Sequence, residues 1–206
     1  YFYRARLFLL LRQDAKAISA FKAALAVNPG FGLAASCLGH LYASQGQMYL
    51  AEQSFQEALR INPDDAVTYF NLGFNYEKQK QYAKAIDAFQ SAVKINPKSD
   101  RAWYGMGLAL ENQKRYLSAI DAYTKAVSYS KKPASSWGPN AGKGRSYLAL
   151  NQFENAKDAL TVAISQYEQA GEEMADELAS MYRDLAQALE MLGETDAAQE
   201  ALEKAG

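Results

Sequence analysis

The sequence predicts an all-α fold, a solenoid of stacked helical hairpins, and three observations predict it. Asn-Pro pairs stand 34 residues apart, at Asn28-Pro29, Asn62-Pro63 and Asn96-Pro97. A large apolar residue followed by glycine keeps the same step, at Leu38-Gly39, Leu72-Gly73 and Met106-Gly107. So do three further series: Ala17, Ala51, Ala85 and Ala119; Phe21, Phe55, Phe89 and Tyr123; Ala24, Ala58, Ala92 and Ala126. Self-similarity at a fixed period of this size marks an array whose single unit cannot bury its own apolar face, so that neighbours must stack.

Residues 66–99 show the physics of one unit. A first helix, A, is expected over 66–78, where Tyr69, Leu72 and Tyr76 recur at three- and four-residue steps and share one face. Gly73 sits inside that helix at a propensity cost of roughly 1 kcal/mol against Ala. Close approach of a neighbouring helix, where a side chain would clash, offsets that cost. A second helix, B, is expected over 81–95, with Tyr82, Ala85, Ile86, Phe89, Ala92 and Val93 facing inward. Ala85 and Ala92 are small where the helices cross, and Phe89 fills the space between repeats. Asn96-Pro97 then stops helix B, because the residue before a proline is pushed out of the helical region.

With these residue types, the 34-residue period resembles the tetratricopeptide repeat, a helix-turn-helix unit. The resemblance implies a right-handed superhelical solenoid of about twelve antiparallel helices. One continuous domain, 1–206, is expected, with units at 1–31 (partial), 32–65, 66–99, 100–133, 137–170 and 179–206. After Val127 the register shifts. Tyr147, Phe153, Ala156, Leu160 and Ala163 match after three extra residues, and Leu185, Ala186, Leu189, Gly193, Ala198 and Leu202 after a further eight. The first insertion falls in a turn-rich stretch, 131–139. The second extends the helices around 166–179, where no Asn-Pro intervenes. Lys143 and Gly144 depart from the pattern, standing where the unit usually has a large apolar residue followed by a small one.

Composition narrows the function classes. A hydrophobic fraction of 49% with 12% aromatics supports an ordered chain. The formal charge of −1, without a basic run or stripe, disfavours nucleic acid as the main partner. A single cysteine rules out an intramolecular disulfide or a cysteine-rich zinc site, and no cofactor is implied. The run Leu7 to Leu11 is far below the roughly 20 residues needed to span a bilayer, so this segment is not expected to insert in a membrane. The chain opens on Tyr1 rather than Met, within what reads as a helix A already under way. That points to upstream sequence, with which a signal or anchor would go. The cytoplasm is the favoured compartment, and the periplasm applies if an upstream signal was removed.

In the tetratricopeptide family the concave surface is formed mostly by helix A. The groove-facing positions carried onto this chain are Leu33, Ser36, Cys37 and His40; Val67, Phe70, Asn71, Phe74 and Lys78; Arg101, Tyr104, Leu108 and Asn112; and Arg145. The repeat core does not need Phe70, Phe74 and Tyr104. Beside small Ser36, Cys37 and Gly105 they either anchor an apolar side chain of a partner or pack between adjacent A helices. The contact residues expected are Phe70, Asn71, Phe74, Arg101, Tyr104 and Arg145, the aromatics as anchors and the others as orienting donors. One subclass of the family grips a chaperone peptide's C-terminal carboxylate with Lys, Asn and Arg. Here Asn71 and Arg101 match two of its positions, but Ser36, His40 and Gly105 hold the others and do not supply the remaining donors.

No catalytic centre is expected. His40 is the only histidine, with no second imidazole or cysteine to build a metal site around it, and nothing in the spacing sets a nucleophile or acid beside it. Cys37 reads as a small apolar helix residue. Gly138-Pro139-Asn140-Ala141-Gly142-Lys143-Gly144 is one residue too short between glycines for a phosphate-binding loop, lacks Ser or Thr after the lysine, and follows no strand. Pro139 reads instead as the first residue of a helix.

The function expected is a non-enzymatic protein-interaction scaffold holding a peptide segment or partner helix in its groove. The alternative is the regulatory or substrate-recruiting region of a larger enzyme. Asp196, Gln199, Glu200, Glu203 and Lys204 give the last helix a polar outer face suited to a cap. The first helix has no such face, since Tyr1, Phe2, Tyr3 and Leu7 to Leu11 point nearly all round it. Self-association through residues 1–11 is therefore expected.

Overall fold

A computed structural model describes residues 1–132, 136–171 and 175–206 of the chain. Among the described residues there are twelve α-helices and no strand, the all-α class expected. They fall into two compact units, Tyr1–Pro97 and Lys98–Gly206.

Unit 1 contains α1 (Phe2–Leu10), α2 (Asp14–Val27), α3 (Gly32–Ser44), α4 (Met48–Ile61), α5 (Ala66–Lys78) and α6 (Tyr82–Ile95). Consecutive pairs form hairpins, and α2 packs on α3 and α4 on α5. Helix A of the worked unit has the expected bounds, while helix B starts one residue later, with Gln81 as its N-cap. Asn28, Asn62 and Asn96 end α2, α4 and α6 in extended backbone, with ψ of 90°, 92° and 87°, as a following proline demands. The turn inside each hairpin carries a left-handed residue at the same repeat position: Arg12, Gly46 and Lys80. Two of these are not glycine, so the sequence carries no turn signal there.

Phe21, Phe55 and Phe89 are fully buried and hold each hairpin together. Burying each stabilises the fold by about 1.5–3 kcal/mol. In α3 and α5 a glycine two turns into the helix makes room for the ring, and in α1 the same repeat position holds the small, fully buried Ala5. A Cβ on Gly39 would stand 2.7 Å from the Phe55 ring, and one on Gly73 would stand 2.8 Å from Phe89. The close approach expected at Gly73 is thus that of the aromatic ring on its own helix B.

Unit 2 contains α7 (Asp100–Asn112), α8 (Tyr116–Tyr129), α9 (Trp137–Ala149), α10 (Phe153–Ala170), α11 (Ala175–Leu192) and α12 (Thr195–Lys204). Tyr123 takes the place of the buried phenylalanines here, and a Cβ on Gly107 would stand 2.5 Å from its ring. Gly144, read as a departure from the pattern, serves the same purpose: a Cβ there would meet Leu160 at 2.5 Å. Lys143 before it is half-buried, and burial lowers its ammonium pKa.

Two boundary readings need correction. Trp137 to Pro139 belong to α9 rather than to a turn-rich stretch, and Pro139 is the third residue of that helix, not the first. Residues 133–135 of that stretch lie outside the described residues. The second insertion does lengthen α10 and α11, to 18 residues each, and α10 ends on Gly171 in the left-handed conformation (φ 65°). Residues 172–174 lie outside the described residues.

Candidate functional site

The six expected contact residues divide between the units, Phe70, Asn71 and Phe74 on α5 and Arg101, Tyr104 and Arg145 on α7 and α9.

In unit 1, α3 and α5 touch each other side by side and present Leu33, Val67 and Phe74 to solvent. Phe74 is 47% exposed, and the Lys78 ammonium lies 5.0 Å from the centre of its ring. Phe70 is half-buried, its ring centre 5.9 Å from that of Phe89, so it is shared between the surface and the core. Asn71 is half-buried and His40 exposed. Ser36 is not part of an open wall: it is buried, and its hydroxyl lies 2.6 Å from that of Thr68, which donates to Asp65 at 2.7 Å. Asp65 also caps α5 by accepting from the backbone N–H groups of Val67 and Thr68. This chain of bonds fixes α3 against α5 and sets the spacing of the exposed residues. Burial pushes the Cys37 thiol pKa up, which favours the protonated, unreactive form. Among the described residues no cluster of three or more His, Cys, Asp and Glu side chains could hold a metal ion.

In unit 2, Arg145 does not stand open as a donor. Its Nε donates to Glu111 Oε1 at 2.8 Å and its terminal nitrogen to Oε2 at 3.2 Å. The hydroxyl of buried Tyr123 donates to the same carboxylate. Asp184 on α11 faces this group. Burial raises its carboxyl pKa, with Arg145 opposing, and its Oδ2 has no hydrogen-bond partner among the described residues. A ligand carboxylate reaching Arg145 must therefore compete with Glu111. Sequence reasoning singled out neither Glu111 nor Asp184. The signal for Glu111 was present as opposite charges one repeat length, 34 residues, from Arg145.

Arg101 and Tyr104 lie together on a cleft of about 270 Å³ between α7, the end of α8 and the start of α9, with Trp137 and Pro139 on its wall. Tyr104 is half-buried, its ring 6.0 Å from Tyr123. Gly105 beside it is buried and opens no groove.

Three family profiles described as tetratricopeptide repeat match the sequence, over residues 31–98, 70–136 and 142–170. Together they cover well over half of the 206 residues. The chain belongs to the tetratricopeptide repeat family. Solved structures of this tetratricopeptide fold agree. A crystal structure of MamA has a TM-score of 0.75 at 23% identity, covering 81% of this chain and 96% of its own. PilW, described as a widely conserved type IV pilus biogenesis factor, has 0.76 at 20%, covering 97% and 88%. YrrB, described as a TPR protein with an unusual peptide-binding site, has 0.74 at 18%, covering 90% of each. At these identities the likeness shows the fold alone. No curated protein matches the sequence significantly.

Proposed function

We propose that this tetratricopeptide protein is a non-enzymatic interaction scaffold that holds a peptide segment or partner helix against its A helices. Family membership supports the scaffold role, and one observation carries the finer reading: α3 and α5 leave Leu33, Val67 and Phe74 exposed on adjacent A helices. Exposed apolar residues grouped in this way mark an interaction surface, and aromatic anchors dominate such contacts. Phe70, Asn71 and Phe74 contact the partner from unit 1, and Arg101, Tyr104 and Arg145 from unit 2. Lys78, stacked on Phe74, orients an acidic group beside that anchor.

Cross-linked capture compares wild type with Phe74→Glu, which touches only a surface position, and with the Phe70→Ala/Tyr104→Ala double variant. Loss of the same captured partner by both variants is expected. Equal recovery by all three proteins moves the binding surface elsewhere.

We also propose that α1 mediates contact between two copies. Tyr3, Leu7 and Leu10 are exposed on it, and so are Tyr1 and Leu11 at its two ends.

A further inference from the structure

Ser136 is the N-cap of α9 and yet caps nothing. A serine in that place ordinarily accepts a hydrogen bond from the N–H of the second or third helical residue. The third residue here is Pro139, which has no N–H to give. Ser136 is left 2% exposed, and its buried Oγ has no hydrogen-bond partner among the described residues. The first turn of α9 contains no acidic residue to offset its positive end.

This helix end opens on the cleft lined by Arg101, Tyr104, Ser136 and Trp137. A Cβ on Gly138 would stand 2.9 Å from the Tyr104 hydroxyl oxygen, which places that hydroxyl against the first turn of α9. Ala126, Pro139 and the two aromatic rings supply apolar wall. Among the described residues the one carboxylate on the cleft is Asp100, which already accepts from the Arg101 backbone N–H at 2.8 Å.

We propose that this cleft is a carboxylate site, taking an acidic group of a bound peptide with an adjoining apolar side chain on Trp137 and Tyr104. The inference rests on the peptide-scaffold reading above and names the chemistry recognised in unit 2. The apolar wall of Ala126, Trp137 and Pro139 favours a carboxylate carried beside an apolar side chain over a phosphate. Ser136 donates its hydroxyl proton, and the α9 end and Arg101 supply the field.

Nuclear magnetic resonance titration at fixed ionic strength tests this without any partner protein, following the backbone amides of Trp137 and Gly138. The probes are N-acetyl-leucine, its neutral amide, the α-amide of N-acetyl-glutamate and inorganic phosphate. N-acetyl-leucine presents a terminal carboxylate and the glutamate derivative a side-chain one, so the tighter of the two identifies the source. Saturable shifts with either acid, and none with the neutral amide, are expected. Ser136→Ala and Arg101→Gln should each weaken binding by about tenfold, the scale of a hydrogen bond to a charged group. Equal shifts from the neutral amide, tighter binding of phosphate, or undiminished binding by Ser136→Ala overturns the site. The outcome is separate from that of partner capture: a cleft blind to carboxylates leaves the Phe74 surface standing, and a failed capture leaves the titration intact.

Discussion

At Gly73 the space a side chain would need is already filled by the Phe89 ring, 2.8 Å from where a Cβ would stand. Phe89 is fully buried, so the ring has nowhere to retreat. Gly73→Leu should cost about 1–3 kcal/mol by overpacking, read as a lower urea midpoint with an unchanged slope. An unchanged midpoint would show that the hairpin opens freely. A second residue-scale prediction concerns Tyr76, whose hydroxyl donates to Glu52 at 2.9 Å. Burial and that carboxylate hold the proton on, pushing the Tyr76 pKa up to about 12. An unfolded tyrosine gives up its proton near 10. The contribution is therefore complete below about pH 10 and is lost as pH rises towards 12. Tyr76→Phe should be less stable than wild type at pH 8 and lose less on going to pH 11.5. Parallel losses in the two proteins would assign the alkaline transition to other groups, buried Tyr123 first among them.

At the scale of elements, α7, α8 and α9 are tied through one carboxylate. Glu111 accepts from Arg145 on α9 and from Tyr123 on α8. Glu111→Ala strands a buried hydroxyl and a half-buried guanidinium together. A loss of about 1–3 kcal/mol is expected, below that of a fully buried pair because Arg145 is partly solvated. Glu111→Gln, which keeps an acceptor, should recover part of it; if the two variants are equally stable, the charge and not the bond was what mattered. How much of this was legible follows from how local each signal is. Asn-Pro ends and glycine-aromatic contacts belong to a single hairpin, so α3 to α8 could be placed from spacing alone. The Gly144–Leu160 contact obeys the same rule but follows Lys143, whose half-buried stem fills a place the pattern reserves for an apolar side chain. Pro139 misled because a proline is tolerated anywhere in the first turn, where N–H groups have no partner within the helix. The engagement of Arg145 by Glu111 left only its 34-residue spacing of opposite charges in the sequence, and whether that pair closes depends on how α7 lies against α9.

At the scale of the whole molecule, α1 sets the question of association. Tyr3 and Leu10 are 80% and 82% exposed, whereas Phe2 is half-buried and packs on Phe21 and Phe31. Probing the surface by changing Phe2 would therefore damage the fold, and Tyr3 and Leu10 are the positions to change. Two copies meeting through α1 form a symmetric, closed contact in which each helix faces its own image. That symmetry also brings the cationic Arg4 and Arg6 of one copy's α1 towards those of the other, with Arg4 lying over the Phe8 ring at 5.4 Å. Apolar attraction and like-charge repulsion thus oppose each other in one contact. Salt screens the second, the screening length falling from about 10 Å at 0.1 M to about 3 Å at 1 M, and leaves the first in place. The mass from light scattering should therefore rise with protein concentration, and rise further from 0.1 M to 1 M sodium chloride. Tyr3→Lys/Leu10→Lys, which removes apolar surface and adds repulsion, should stay at the monomer mass throughout. A wild-type mass that stays monomeric at high concentration in 1 M salt would show that α1 does not pair with its own copy.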